Sequence, residues 1–155
     1  MSRAIPMTRT ALRAAIPQRI VRLLVLWFAD RSKPFPRALK RAGYDRLPDK
    51  LCGVEREVVI GPRVVVKTTG WRSISPAASR YRRARTLCPT IELAKTLVAQ
   101  PKGRVFARLP SATKDRLDAR LTRAENIVES RYNIGDTHDW NFALFPDGTI
   151  RHIDY

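Results

Sequence analysis

The sequence predicts an α+β fold, a small antiparallel β-sheet part followed by a reduced helical part, and three observations predict it. Two β-branched runs, Arg56-Glu57-Val58-Val59-Ile60 and Arg63-Val64-Val65-Val66-Lys67, meet at Gly61-Pro62 as a hairpin would. Leu117, Leu121, Ala124 and Val128 recur at spacings of four, three and four, which puts them on one stripe of a helix facing a core. Near the C-terminus, Phe142 to Phe145 and Thr149 to Ile153 flank Pro146-Asp147-Gly148, a second hairpin signal.

The remaining elements follow in order. Ile20, Leu23, Leu24, Trp27 and Phe28 fall at helical spacing after Pro17, so residues 18–29 read as a helix. A shorter helix is expected from Arg37 to Ala42, ended by Gly43. This pair either docks on the main body or, being basic and amphipathic, lies on a membrane surface. Ser75-Pro76 has the chemistry of a helix start, with a basic helix running to Thr86. Leu93 to Ala99 and Arg104 to Leu109 are expected to pair around Pro101-Lys102-Gly103, and Ser111 or Thr113 to cap the striped helix, which runs out near Tyr132. The implied organisation is a basic helical segment over 1–50 and a core over 51–155, with a β-rich part at 51–110 and a helix, loop and hairpin at 111–155.

A chain of 155 residues suits one compact domain. Its net charge of +16 is unevenly spread: 12 basic and 3 acidic residues in 1–50, 9 and 3 in 51–100, 9 and 8 in 101–155. Such an excess attracts polyanions, whether nucleic acid, an anionic membrane surface or a phosphorylated substrate. Cys52 and Cys88 lack the spacing of a zinc site and the density of a disulfide scaffold, which points to reduced thiols and a cytoplasmic protein. The apolar run from Ile20 to Ala29 is about half the ~20 residues a spanning helix needs, and no small-x-small cleavage site follows it.

Chemistry concentrates near the C-terminus. Asp136 sits in a polar loop after a helix, Asn141 follows five residues on, and Asp154 comes after the hairpin. Because a hairpin returns its end to its beginning, Asp154 should lie close to Asn141. Two oxygen ligands would then face a hard cation such as Mg²⁺, with Asp136 near enough to orient or deprotonate a hydroxyl.

Gly135-Asp136-x-His138-x-x-Asn141 followed by Ile153-Asp154 resembles the catalytic loop and metal-binding aspartate of the protein-kinase-like superfamily, in its aminoglycoside and choline phosphotransferase branch. The resemblance implies a minimal kinase-like fold that uses ATP and magnesium. It implies Asp136 as catalytic base, His138 as a loop-organising residue of the catalytic segment, and Asn141 and Asp154 as metal ligands. It also implies Lys67, closing Val64-Val65-Val66-Lys67, as the strand lysine that binds the α- and β-phosphates.

The pattern departs from the family at three points. Gly53 and Gly61 are the only glycines between Tyr44 and Gly70, so no glycine-rich loop covers the phosphates. No acidic residue lies between Lys67 and Glu92, which leaves Glu92, Glu55 or Glu57 to fix the lysine. The chain also stops one residue after Asp154, where the family continues into a lobe that holds the acceptor. Either a minimal, truncated module acts on a large partner, with an unknown phosphoacceptor such as a macromolecule, or nucleotide is bound without efficient turnover, or the N-terminal helices replace part of the missing lobe. Three functions follow: a phosphotransferase moving the γ-phosphate of ATP to a hydroxyl, a pseudokinase that binds nucleotide or a partner, or a basic nucleic-acid or membrane-surface protein. For the last, Arg80, Arg82, Arg83 and Arg85 around Tyr81 offer a phosphate-tracking cluster.

Overall fold

The computed structural model describes residues 5–47, 57–68, 85–135 and 137–153. Among these residues the protein is α+β, with four helices and two antiparallel sheets. The helices are α1 (Arg9–Ala14), α2 (Gln18–Ala29), α3 (Arg37–Arg41) and α4 (Ser111–Tyr132). The strands are β1 (Asp45–Arg46), β2 (Val58–Ile60), β3 (Val64–Thr68), β4 (Ile91–Ala94), β5 (Leu97–Pro101), β6 (Arg104–Val105), β7 (Phe142–Leu144) and β8 (Ile150–His152). They divide between two compact units, the first drawn from Met1–Arg80 and Pro89–Lys102, the second from Tyr81–Cys88 and Gly103–Tyr155.

The first unit is built on a five-stranded sheet of order β1-β2-β3-β5-β4. Strand alternation sends Val59, Val64, Val66, Leu97 and Ala99 to one face, where they share a core with Leu12 of α1, Leu24 and Trp27 of α2 and Leu39 of α3. The N-terminal helices are therefore part of this unit's core, and the sheet begins at Asp45, ahead of the β-branched runs. Ile20, Leu24 and Trp27, spaced four and three, form the buried stripe of α2. Trp27 meets Phe28 and Phe35 edge to face at 4.9 and 5.0 Å. Two glycines are required here: Gly43 closes α3 at φ +86, and a side chain at Gly61 would meet the Tyr44 ring at 2.5 Å. The short α1, capped by Thr8 Oγ1 accepting from the Ala11 N–H at 3.1 Å, has no counterpart in the sequence-based expectation.

The expected pairing of 93–99 with 104–109 does not form. Lys95-Thr96 breaks the first run, so that β4 pairs back on β5 within it. Arg104–Val105 pairs instead with β7, and Phe106–Arg108 is a 3-10 turn. Pro101-Lys102-Gly103, which looked like a turn, is where the chain leaves one unit for the other. The basic helix expected between Ser75 and Thr86 lies outside the described residues except at its end.

In the second unit α4 buries Leu117, Leu121, Ala124 and Val128, the stripe expected from the sequence, against Phe106, Leu109, Phe142 and Ile150. Pro110 occupies the cap position without a side-chain bond, so neither Ser111 nor Thr113 caps the helix and Ser111 is its first residue. Asn133 ends α4 at φ 53, in the left-handed region its short polar side chain tolerates, and its N–H returns to Glu129 O at 3.1 Å. The sheet order is β6-β7-β8. Thr86 to Cys88 runs beside β8, with His152 N–H donating to Thr86 O at 2.8 Å and Cys88 N–H to His152 O at 2.9 Å.

Candidate functional site

Lys67 belongs to the first unit and is only 8 % exposed. It lies on β3, the third strand in chain order, and its neighbours Val64 and Val66 supply the helix-covered core. Lys67 stands in register opposite Val58 on β2 and Val98 on β5. Successive residues alternate faces, so Lys67 lies on the side of the sheet away from that core, in a row with Val98. Glu92 on β4 is also opposite Val98 and shares this face. Two strand spacings, about 10 Å, separate Glu92 from Lys67. The next row holds Gln100, whose amide donates to Thr90 Oγ1 at 2.9 Å, a buried polar pair that satisfies both groups.

Of the other carboxylates weighed as partners for the lysine, Glu57 is engaged elsewhere. Its Oε1 takes the Arg31 guanidinium at 2.9 Å and the Arg46 guanidinium at 3.1 Å. Glu55 lies outside the described residues. Of the three carboxylates weighed as partners, Glu92 is the described one that shares the lysine's face.

Asn141 and His138 belong to the second unit, on the loop between α4 and β7. Thr137 Oγ1 donates to Glu129 Oε1 at 2.8 Å and ties the loop's start to the last turns of α4. A 3-10 turn over Asp139–Asn141 then carries the chain into β7, with Asn141 N–H on His138 O at 2.9 Å. Ile153, at the end of the hairpin, donates its N–H to Asn141 O at 2.8 Å. Asn141 is thus pinned by its backbone on both sides and is itself buried, 8 % exposed.

Its side-chain amide nitrogen faces His138 Nε2 at 3.5 Å, which turns the amide oxygen away from the ring. An oxygen held this way suits a hard cation, and magnesium needs few protein oxygens because phosphates and water complete its shell. Among the described residues no group of three or more His, Cys, Asp or Glu side chains is disposed to hold a metal ion. Asp136 and Asp154 lie outside the described residues, so His138, Asn141 and Lys67 are the expected site residues that the structure describes. Gly135, which precedes Asp136, would meet nothing within 4 Å if it carried a Cβ, and its backbone is outside the left-handed region that favours glycine.

Three features of this loop were not read from the sequence. Trp140 is 54 % exposed, with the Arg108 guanidinium 5.5 Å from its ring centroid, a cation–π stack at the loop's outer edge. The hairpin turn is braced by Arg151, whose side chain donates to Thr149 Oγ1 at 2.9 Å and Leu87 O at 3.3 Å and pairs with Asp147 at 3.5 Å. Burial pushes the Asp147 carboxyl up, but hydrogen bonds from Thr149 and the charge of Arg151 outweigh it and hold the group below its ordinary value. Arg120 of α4 donates to Gly148 O, fixing the turn to the helix. Only a run of spaced charges hinted at these contacts, and spacing alone does not pair them. No protein-family model, no curated protein and no solved structure matches this chain.

Proposed function

We propose that this chain is a minimal kinase-like phosphotransferase that transfers the γ-phosphate of ATP to a hydroxyl acceptor with magnesium. The observation that carries the reading is the 2.8 Å bond from Ile153 N–H to Asn141 O, which joins the far end of the β7–β8 hairpin to the loop that opens it. Asp-x-x-x-x-Asn before a hairpin, and Ile-Asp after it, resembles the order in which the kinase-like family carries its base and two metal ligands. A lysine on the central strand of an antiparallel sheet, buried on rigid backbone, supports the same reading.

In this reading Lys67 places a point charge against the α- and β-phosphates and orients the nucleotide. Asn141 and Asp154 hold magnesium, which supplies neutralisation of phosphate charge when bound. Asp136 accepts a hydrogen bond from the acceptor hydroxyl, aligns its oxygen with the γ-phosphorus, and takes the proton as the new P–O bond forms and the bond to ADP breaks. His138 positions the Asn141 amide.

Melting the protein with and without Mg-ATP tests the assignment, followed by a radiolabelled transfer assay. Asp154→Ala and Lys67→Met should each remove the Mg-ATP melting shift, whereas Asp136→Asn should keep the shift and lose transfer. Identical shifts in wild type and Asp154→Ala would sink the metal site.

A second reading is a nucleotide-binding pseudokinase, favoured by the lack of a glycine-rich loop to cover the phosphates, since Gly53 and Gly61 are the only glycines between Tyr44 and Gly70. Under that reading every binding result above holds and no transfer is seen.

A further inference from the structure

The outward side of the N-terminal helices carries charge that the protein does not use internally. Arg13, Arg19, Arg22, Arg37, Lys40 and Arg41 are all exposed and form no ion pair among the described residues. On α2 the buried stripe of Ile20, Leu24 and Trp27 fixes the direction of the opposite face. Arg19, Arg22 and Leu26, spaced three and four, fall on that opposite face. Leu26 is 68 % exposed, the most exposed large apolar residue among those described.

We infer that this face docks on an anionic phospholipid bilayer, with the outward face of α2 against the headgroups, its arginines meeting their charge and Leu26 reaching the boundary of the acyl chains. Cations alone would fit any polyanion; the leucine among them decides between classes. A single-stranded nucleic acid is gripped by aromatic rings on which bases stack. The aromatics of these helices do not offer that: Trp27 is buried and Phe28 and Phe35 are packed against the core. Arginines are drawn to the negative surface of an anionic leaflet, and an aliphatic side chain among them can add apolar burial at the acyl boundary. No helix among the described residues is long and apolar enough to cross a membrane, so the docking is peripheral. The inference rests on the first unit alone and is independent of the phosphotransferase reading.

Co-sedimentation of the full-length protein with vesicles tests it. Phosphatidylcholine vesicles containing about one third phosphatidylglycerol should bind, and pure phosphatidylcholine vesicles should not. Each arginine near such a surface is worth about 5-fold in affinity, so Arg19→Gln with Arg22→Gln should weaken binding about 25-fold. Raising salt from about 0.05 to 0.5 M should weaken the wild type comparably. Leu26→Gln should weaken vesicle binding roughly tenfold while leaving any binding to single-stranded DNA unchanged, and Leu26→Phe should strengthen vesicle binding. Equal binding to neutral and anionic vesicles, or vesicle binding indifferent to both Leu26 variants, overturns the inference. Tighter binding to DNA than to anionic vesicles overturns it too and transfers the surface to nucleic acid.

Discussion

Asn141 is held twice over, once by its backbone and once by its side chain, and the two holds separate under mutation. Asn141→Ala keeps both backbone bonds, to His138 O and from Ile153 N–H, so its folding cost should stay near 1 kcal/mol. Its Mg-ATP melting shift should nevertheless vanish. His138→Ala removes the ring that faces the Asn141 amide, and apparent Mg-ATP affinity should fall on the order of 10-fold, the usual scale for a residue supporting a ligand. Titrating nucleotide against each variant's melting temperature separates the roles, and a larger loss for His138→Ala than for Asn141→Ala would reverse them. At this scale the sequence was informative where spacing carries chemistry. Asp136, His138 and Asn141 could be singled out by the Gly-Asp-x-His-x-x-Asn pattern, and of these the structure describes His138 and Asn141. Arg151 could not, because its partners include residues at positions 87, 147 and 149, and the first is reached only through tertiary packing.

Among the elements, α4 and the hairpin it supports carry carboxylates with opposite responses to pH. Burial raises the Glu125 carboxyl, and the neighbouring charges of Asp118, Glu129 and Asp139 raise it further. A group whose folded pKa lies above its unfolded value stabilises the fold when protonated, and that contribution disappears as pH rises through the folded pKa. Glu125→Gln should therefore melt higher than wild type at pH 7, and the advantage should close below about pH 4, where the wild-type carboxyl is also neutral. Asp147 has the reverse sign: its lowered pKa stabilises the fold above the unfolded value and is lost as pH falls. Asp147→Asn should accordingly melt lower at pH 7 and converge with wild type in acid. Two parallel melting series against pH check both, and a common direction would contradict the assignment. Elements with strong periodicity, such as α2, α4 and both hairpins, were legible in the sequence. The β4–β5 pair was misread because Lys95-Thr96 is a weaker turn signal than Pro101-Lys102-Gly103, and β6 was assigned locally although its partner β7 lies almost 40 residues further on. Periodicity reports which face is buried and says nothing about which distant strand supplies the neighbour.

For the molecule as a whole, the α+β character follows from those local patterns, but its division into two units does not, since the chain changes unit three times. Composition also sets a property that no single contact reveals. A net charge of +16 is carried mostly by the first hundred residues, and folding brings those like charges closer together. Compaction against self-repulsion costs free energy that salt relieves, because the Debye length falls from about 30 Å at 0.01 M to about 8 Å at 0.15 M. Salt also weakens the attractive pairs of Glu57 with Arg31 and Arg46. Those arginines are 47 % and 41 % exposed, and pairs this open contribute little. The net charge of +16 makes repulsion among the exposed cations the term expected to set the sign. Melting temperature should rise between 0.01 and 0.15 M sodium chloride. A relief of about 1 kcal/mol corresponds to roughly 2–4 °C for a chain of this size. Replacing Arg19 and Arg22 by glutamine should reduce the slope against salt, since both stand on the uncompensated face. A melting temperature that falls with salt would mean that attraction, not repulsion, dominates the folded protein's field.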